Sequence, residues 1–227
     1  MVAVLVVITI CLFCLLEWIS KQETETGTVS AKGTEKAAWP PELSEPAYVG
    51  GFKVQREMAY HPGHAWAFLE GPARVRVGMD DFAHRLVGKV DKLDLPKAGD
   101  LVEQGEAAWT LHHGGRKAEM LSPVTGEVIE VNAKALECMK DGTDLPYTES
   151  WLFRVRTRAP RANMNNLLRG DLVAKWMETI AGGLRVRMNP GLAVSFPDGG
   201  PAVKDIGALI PDEQWSEVVR EFLLTDA

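Results

Sequence analysis

The sequence predicts a mainly β domain of the small-barrel or sandwich kind. Short β-branched runs are broken by glycines between Phe52 and Arg156, turn residues recur between those runs, and one half of the region echoes the other. With 227 residues and 46% hydrophobic content the chain can bury an ordinary core.

The chain begins with an apolar run from Val2 to Leu16. Extended to Ile19 and wound as a helix it would measure roughly 27 Å, close to the thickness of a bilayer interior. Residues 1–20 are therefore expected to be a transmembrane anchor. A secretory leader would carry a positive start and a small-residue cleavage site, and neither stands in Met1-Val2-Ala3 or Glu17-Trp18-Ile19-Ser20-Lys21. Trp18 suits a membrane interface, and Lys21, Lys32 and Lys36 on the C-terminal side favour a cytoplasmic location for the remainder, at the inner membrane. An exported domain behind a signal anchor is the opposite orientation.

Residues 21–51 read as a flexible linker, rich in Thr, Ser, Glu, Lys and Pro, with Trp39-Pro40-Pro41 and Glu45-Pro46. Strands are expected at Arg74-Val75-Arg76-Val77, Val87-Gly88-Lys89-Val90, Trp109-Thr110-Leu111-His112 and Gly126 to Val131. The internal echo sets Gly88 to Leu93, Leu101 to Gly105 and Trp109 to Leu111 beside Gly126 to Val131, Cys138 to Gly142 and Trp151 to Phe153. Two such halves would pair about a pseudo-two-fold axis.

After Arg158 the pattern turns helical. Asp171 is expected to cap a helix bearing Leu172, Trp176 and Ile180, with Gly182 as its stop. Leu184 to Met188 alternates like a strand, and a last helix follows Pro211-Asp212. Its stripe of Trp215, Val218, Val219, Phe222 and Leu223 is expected to pack on its own domain.

Several chemistries find no support. The charge of -6 comes without a basic stripe interleaved with aromatics, so nucleic acid is not expected as a partner. Cys11, Cys14 and Cys138 form no metal or disulfide pattern. His61 and His64 stand in a turn, and the adjacent His112 and His113 would point to opposite faces of a strand, so no metal site is expected. No phosphate loop or nucleophile triad is present, and the chain is not expected to be an enzyme.

The blocks Tyr60-His61-Pro62-Gly63-His64-Ala65-Trp66, Val77 to Ala83, Leu93 to Asp100, Ser122 to Val128 and Asp144 to Leu152 follow one another over roughly residues 53 to 180. In that order they resemble the glycine cleavage H-protein family. The resemblance implies a barrel-sandwich hybrid, lipoyl-domain-like, spanning residues 52–180. It assigns His64 and Trp66 to packing of the first strand, and Asp80 and Asp81 to the start of a short helix, where they would cap its exposed amides and favour its dipole. Residues 181–227 would be a C-terminal extension with an amphipathic helix.

In that family a lysine on an exposed β-turn carries lipoate, eight residues before the proline of a Ser-Pro-Val motif. Counting back from Pro123 reaches Gly115. Lipoate is joined to its carrier through a lysine amine, which glycine lacks. The tip His112-His113-Gly114-Gly115-Arg116 instead suits a tight primed turn, in which glycines supply positive φ without strain. His112 and His113 also stand where the family has acidic and small residues before its lysine. Lys117 is the nearest amine, on the returning strand. The Met-Lys-Met tip of biotin carriers is absent.

The expected function is thus a membrane-tethered, noncatalytic docking or scaffold module related to H protein. It would have no cofactor, and its partners would be a protein, in a membrane complex or among glycine-cleavage-like enzymes, together with the membrane. The alternative is a genuine lipoyl carrier that uses Lys117.

Overall fold

The computed structural model describes residues 43–140, 147–188 and 201–225. The expected membrane anchor and most of the expected linker lie outside these residues, as does Asp144 to Pro146. No helix among the described residues is long and apolar enough to cross a membrane.

All strand pairs are antiparallel. A two-stranded hairpin joins β1 (Ala47–Val49) to β2 (Phe52–Val54). This corrects the expected linker boundary at residue 51: Gly50 and Gly51, both at positive φ, turn the chain so that Phe52 becomes fully buried.

A six-stranded sheet contains β3 (Ala59–Tyr60), β4 (Ala65–Leu69), β5 (Arg74–Met79), β7 (Leu101–Val102), β10 (Gly126–Val131) and β11 (Trp151–Arg156), in the order β3-β4-β5-β11-β10-β7. A three-stranded sheet, β6-β8-β9, is built from β6 (Lys92–Asp94), β8 (Ala107–His113) and β9 (Arg116–Leu121). The sheets share a core in which Trp109 of β8 meets Phe153 of β11 edge-on at 5.5 Å. Trp66 on β4 packs so closely over β5 that a Cβ at Gly78 would lie 2.3 Å from its ring, and its Nε1 donates to the Met79 carbonyl at 2.8 Å. The expected strands at 74–77, 109–112 and 126–131 are present.

Val87 to Val90 is not a strand. Helix α1 (Asp81–Val87) occupies its start, and Gly88, at φ 74°, ends the helix by donating to the His84 carbonyl. Of the segment Gly88 to Leu93, only Lys92 onward is strand, whereas its counterpart Gly126 to Val131 is strand throughout. Asp80 caps α1 through Ala83 N, as expected. The Asp81 carboxylate does not cap but accepts from Lys53 N and Arg85 Nε.

Short helices α2 (Ala135–Lys140) and α3 (Pro160–Asn165) precede a long one, α4 (Asp171–Arg187). Three expectations for this region change. Gly170, not Asp171, is the N-cap residue, and the helix runs on through Gly182. Leu184 to Arg187 is its last turn: Leu184 is buried at helical spacing with Ala181 before the turn and Met188 after it, while Val186 stays 86% exposed. A side chain at Gly183 would touch the Phe222 ring, so packing against the C-terminal segment carries the helix past its glycines. That segment forms a 3-10 turn (Gly207–Leu209), α5 (Asp212–Val218) and a π-helical turn (Val219–Leu223), and its expected apolar stripe is buried against the rest of the protein.

Candidate functional site at the hairpin tip

The β8–β9 hairpin keeps its register to the turn, with His113 opposite Arg116, His112 opposite Lys117 and Leu111 opposite Ala118. Leu111 and Ala118 are fully buried and anchor the inner face. Gly114 at φ 56° and Gly115 at φ 84° make the turn. Both are exposed, and a Cβ added to either would meet nothing within 4 Å. The turn demands glycine for its backbone angles and not for lack of room. Gly114 N donates to the Asp91 carboxylate at 2.7 Å, which fixes the turn to the start of β6.

On the outer face His112 Nε2 lies 2.8 Å from Asp94 Oδ2, and Lys92 Nζ reaches the same oxygen at 2.8 Å. Hydrogen bonds from Lys92 and His112 hold the Asp94 carboxyl below its usual range. Lys117 has a half-exposed side chain with Glu119 3.6 Å from its amine. It remains on the strand and does not replace Gly115 at the tip. His113 faces the other way, with Nε2 4.0 Å from Asp205. The two histidines thus have separate partners on opposite faces, and among the described residues no group of His, Cys, Asp or Glu is disposed to hold a metal ion.

Arg116 belongs to a fastening that sequence reading missed. Its guanidinium donates from Nη1 to the Gly207 carbonyl at 2.8 Å, from Nη2 to the Ile210 carbonyl at 2.8 Å, and from Nε to Asp212 at 2.6 Å. It also lies 5.1 Å over the Trp215 ring. Farther along β9, Trp215 Nε1 donates to the Lys117 carbonyl at 2.9 Å and Thr225 Oγ1 to the Glu119 carbonyl at 2.7 Å. β9 is the edge of its sheet, and these donors satisfy alternate outward carbonyls that a further strand would otherwise take. No local signal could have revealed this, because the partners lie 91 to 106 residues apart.

The HxxH pair resolves into structural roles. His61 Nδ1 accepts from Gly63 N within the turn, and burial lowers the His61 pKa. His64 is fully buried, with Nδ1 2.7 Å from the Asp80 carboxylate and its ring stacked on Phe82 at 4.1 Å. It adopts φ 64°, uncommon for a residue with a side chain, and its carbonyl accepts from Asp80 N at 3.0 Å. Asp80 therefore both caps α1 and fixes the entry to β4. The two residues stand in separate blocks of the sequence, His64 in Tyr60 to Trp66 and Asp80 in Val77 to Ala83, and the positive φ that brings them together is not written in either residue type.

The Glycine cleavage H-protein family model matches residues 58–180. The H protein of Xanthomonas campestris pv. campestris is 32% identical over 126 residues, covering 56% of this chain and 95% of that protein. The H protein of Rubrobacter xylanophilus is 36% identical over 104 residues, covering 46% of this chain and 82% of its own. A crystal structure of the H protein from Mycobacterium marinum aligns with a TM-score of 0.47 at 23% identity, covering 56% of this chain and 98% of that one. The segment that fastens β9 lies beyond the matched residues. The six-stranded and three-stranded sheets, with the β8–β9 hairpin, lie wholly within the match, and the chain belongs to the glycine cleavage H-protein family.

Proposed function

We propose that this protein is a noncatalytic, membrane-tethered H-protein relative that serves as a docking or scaffold subunit for a protein partner, with no lipoate on its hairpin. The observation that carries the reading is the tip itself. Gly114 and Gly115 form an open turn without an amine, so the residues there do not fit a covalently held lipoyl group. The fastening of β9 by Arg116, Trp215 and Thr225 supports it, because an edge held along its length suits a fixed surface better than an arm-bearing loop. The tethering part rests on the apolar run Val2 to Ile19 and the basic residues that follow, with the soluble part on the cytoplasmic side.

The test is intact-mass analysis of the full chain from its native host, alongside incubation of Gly115→Lys with a lipoate–protein ligase. The expected results are an unmodified native protein and a lipoyl adduct on the variant only. A lipoyl adduct on the native protein overturns the reading. The half-exposed Lys117 amine favours one second reading, a carrier that uses this displaced lysine. It requires a native adduct that Lys117→Arg removes.

A further inference from the structure

β5 and β11 lie side by side within the six-stranded sheet, and both alternate arginine with buried residues. Val75, Val77 and Val155 are fully buried, while Arg76 stands opposite Arg154 and Arg74 opposite Arg156. Like charges facing each other across a ladder destabilise it. The two rungs handle that repulsion differently.

The inner rung is neutralised from within. Glu70, 4% exposed, accepts from Arg76 Nε at 2.7 Å and from Arg154 Nε at 2.8 Å, and Glu130 accepts from Arg154 Nη1 at 2.6 Å. Arg154 also lies 4.2 Å over Trp151. The outer rung is left open. Arg74 is 57% exposed and reaches Glu70 only through Nε at 3.5 Å. The exposed Arg156 side chain has no hydrogen-bond or ion-pair partner among the described residues, although Glu127 stands opposite it on β10. Arg158 and Arg161 follow, both exposed, and no acidic residue occurs from Arg154 to Arg161.

We infer that this outer rung, Arg74 with Arg156, docks an acidic, carboxylate-bearing segment of a protein partner. The inference rests on the docking reading above and names the chemistry of the partner. Guanidinium forks match carboxylates in bidentate geometry, and two of them across a ladder supply the unspent donors that the inner rung has lost to Glu70. The net charge of -6 disfavours an extended polyanion, which would carry its charge over the acidic remainder of the surface. A short acidic segment senses little beyond the patch, since screening falls off over about 8 Å at physiological salt.

The probe is a fluorescent poly-glutamate peptide titrated with the full chain at low salt, against competing single-stranded oligonucleotide and anionic phosphatidylglycerol vesicles. Arg74→Gln/Arg156→Gln is expected to weaken peptide binding roughly tenfold, while Arg187→Gln, whose partner Glu217 lies in the C-terminal segment, leaves it unchanged. Absence of peptide binding, indifference to the double substitution, or tighter binding of oligonucleotide or vesicles through the same arginines would overturn it. The lipoylation state does not enter this readout, so the rung and the docking reading fail by separate results.

Discussion

The tip of the β8–β9 hairpin and the outer edge of its second strand are neighbours in sequence and opposites in construction. The tip is bare: Gly114 and Gly115 are exposed, surrounded by open space and tied down by the bond from Gly114 N to the Asp91 carboxylate. From Arg116 onward the same strand is fastened to side chains and backbone carbonyls more than ninety residues away. The difference shows that the turn depends on local backbone preference, whereas the edge depends on tertiary contacts. Substitutions on the two sides of the Gly115–Arg116 bond should therefore differ in magnitude and in kind.

The largest effect is expected for Trp215→Ala, which removes a buried indole, its bond to the Lys117 carbonyl and the surface on which Arg116 lies. The expected loss is about 4 kcal/mol in urea unfolding, with faster amide exchange along β9. Equal exchange along β9 would show that the edge is held by something else. A control away from the hairpin comes next. Glu70→Gln leaves Arg76 and Arg154 facing each other without their shared carboxylate and should cost about 3 kcal/mol, with hairpin exchange unchanged.

Glu70 also sets an acid limit. Burial tends to raise its pKa, but hydrogen bonds from Arg154 and Arg76 outweigh this and hold it below 4.5. Its contribution is thus complete above the unfolded value and is lost as pH falls through the lower folded value. Stability measured between neutral and acid pH should fall less steeply in Glu70→Gln, and an unaltered slope would contradict the assignment.

Arg116→Ala takes away the bonds to the Gly207 and Ile210 carbonyls and should cost about 2 kcal/mol, visible as a lower urea midpoint. Gly115→Ala is the smallest, about 1 kcal/mol from the positive φ alone, because the added methyl meets no neighbour. A loss at Gly115 as large as that at Arg116 would erase the contrast between the two regions.

What was legible in the sequence follows the same division. Alternating Arg74 to Val77 and Gly126 to Val131, the Gly114-Gly115 turn and the Asp80 cap each rest on rules that act over a few residues, and each is present. The misreadings occur where distant packing overrides a local sign. Gly88 in a β-branched run suggested a strand, yet its Cβ position would lie 2.3 Å from Asp205, and it ends a helix instead. Gly182 suggested a stop, yet Phe222 packs beside Gly183 and Leu184 is fully buried, so the helix continues. Arg116 was read only as part of the tip because nothing near it in sequence indicates Gly207, Ile210 or Trp215. The His64–Asp80 pair went unseen for a similar reason, since a left-handed histidine is an outcome of packing.

The fastening along β9 also sets an order of events during synthesis. A ribosome adding roughly 5 to 20 residues per second delivers the fastening segment on the order of ten seconds after the hairpin. In that interval the Lys117 and Glu119 carbonyls lack the donors that later cover them, and the nascent edge can pair with any passing strand. Yield in cells should therefore respond to translation speed and to holding chaperones more than the equilibrium stability of the finished protein would suggest.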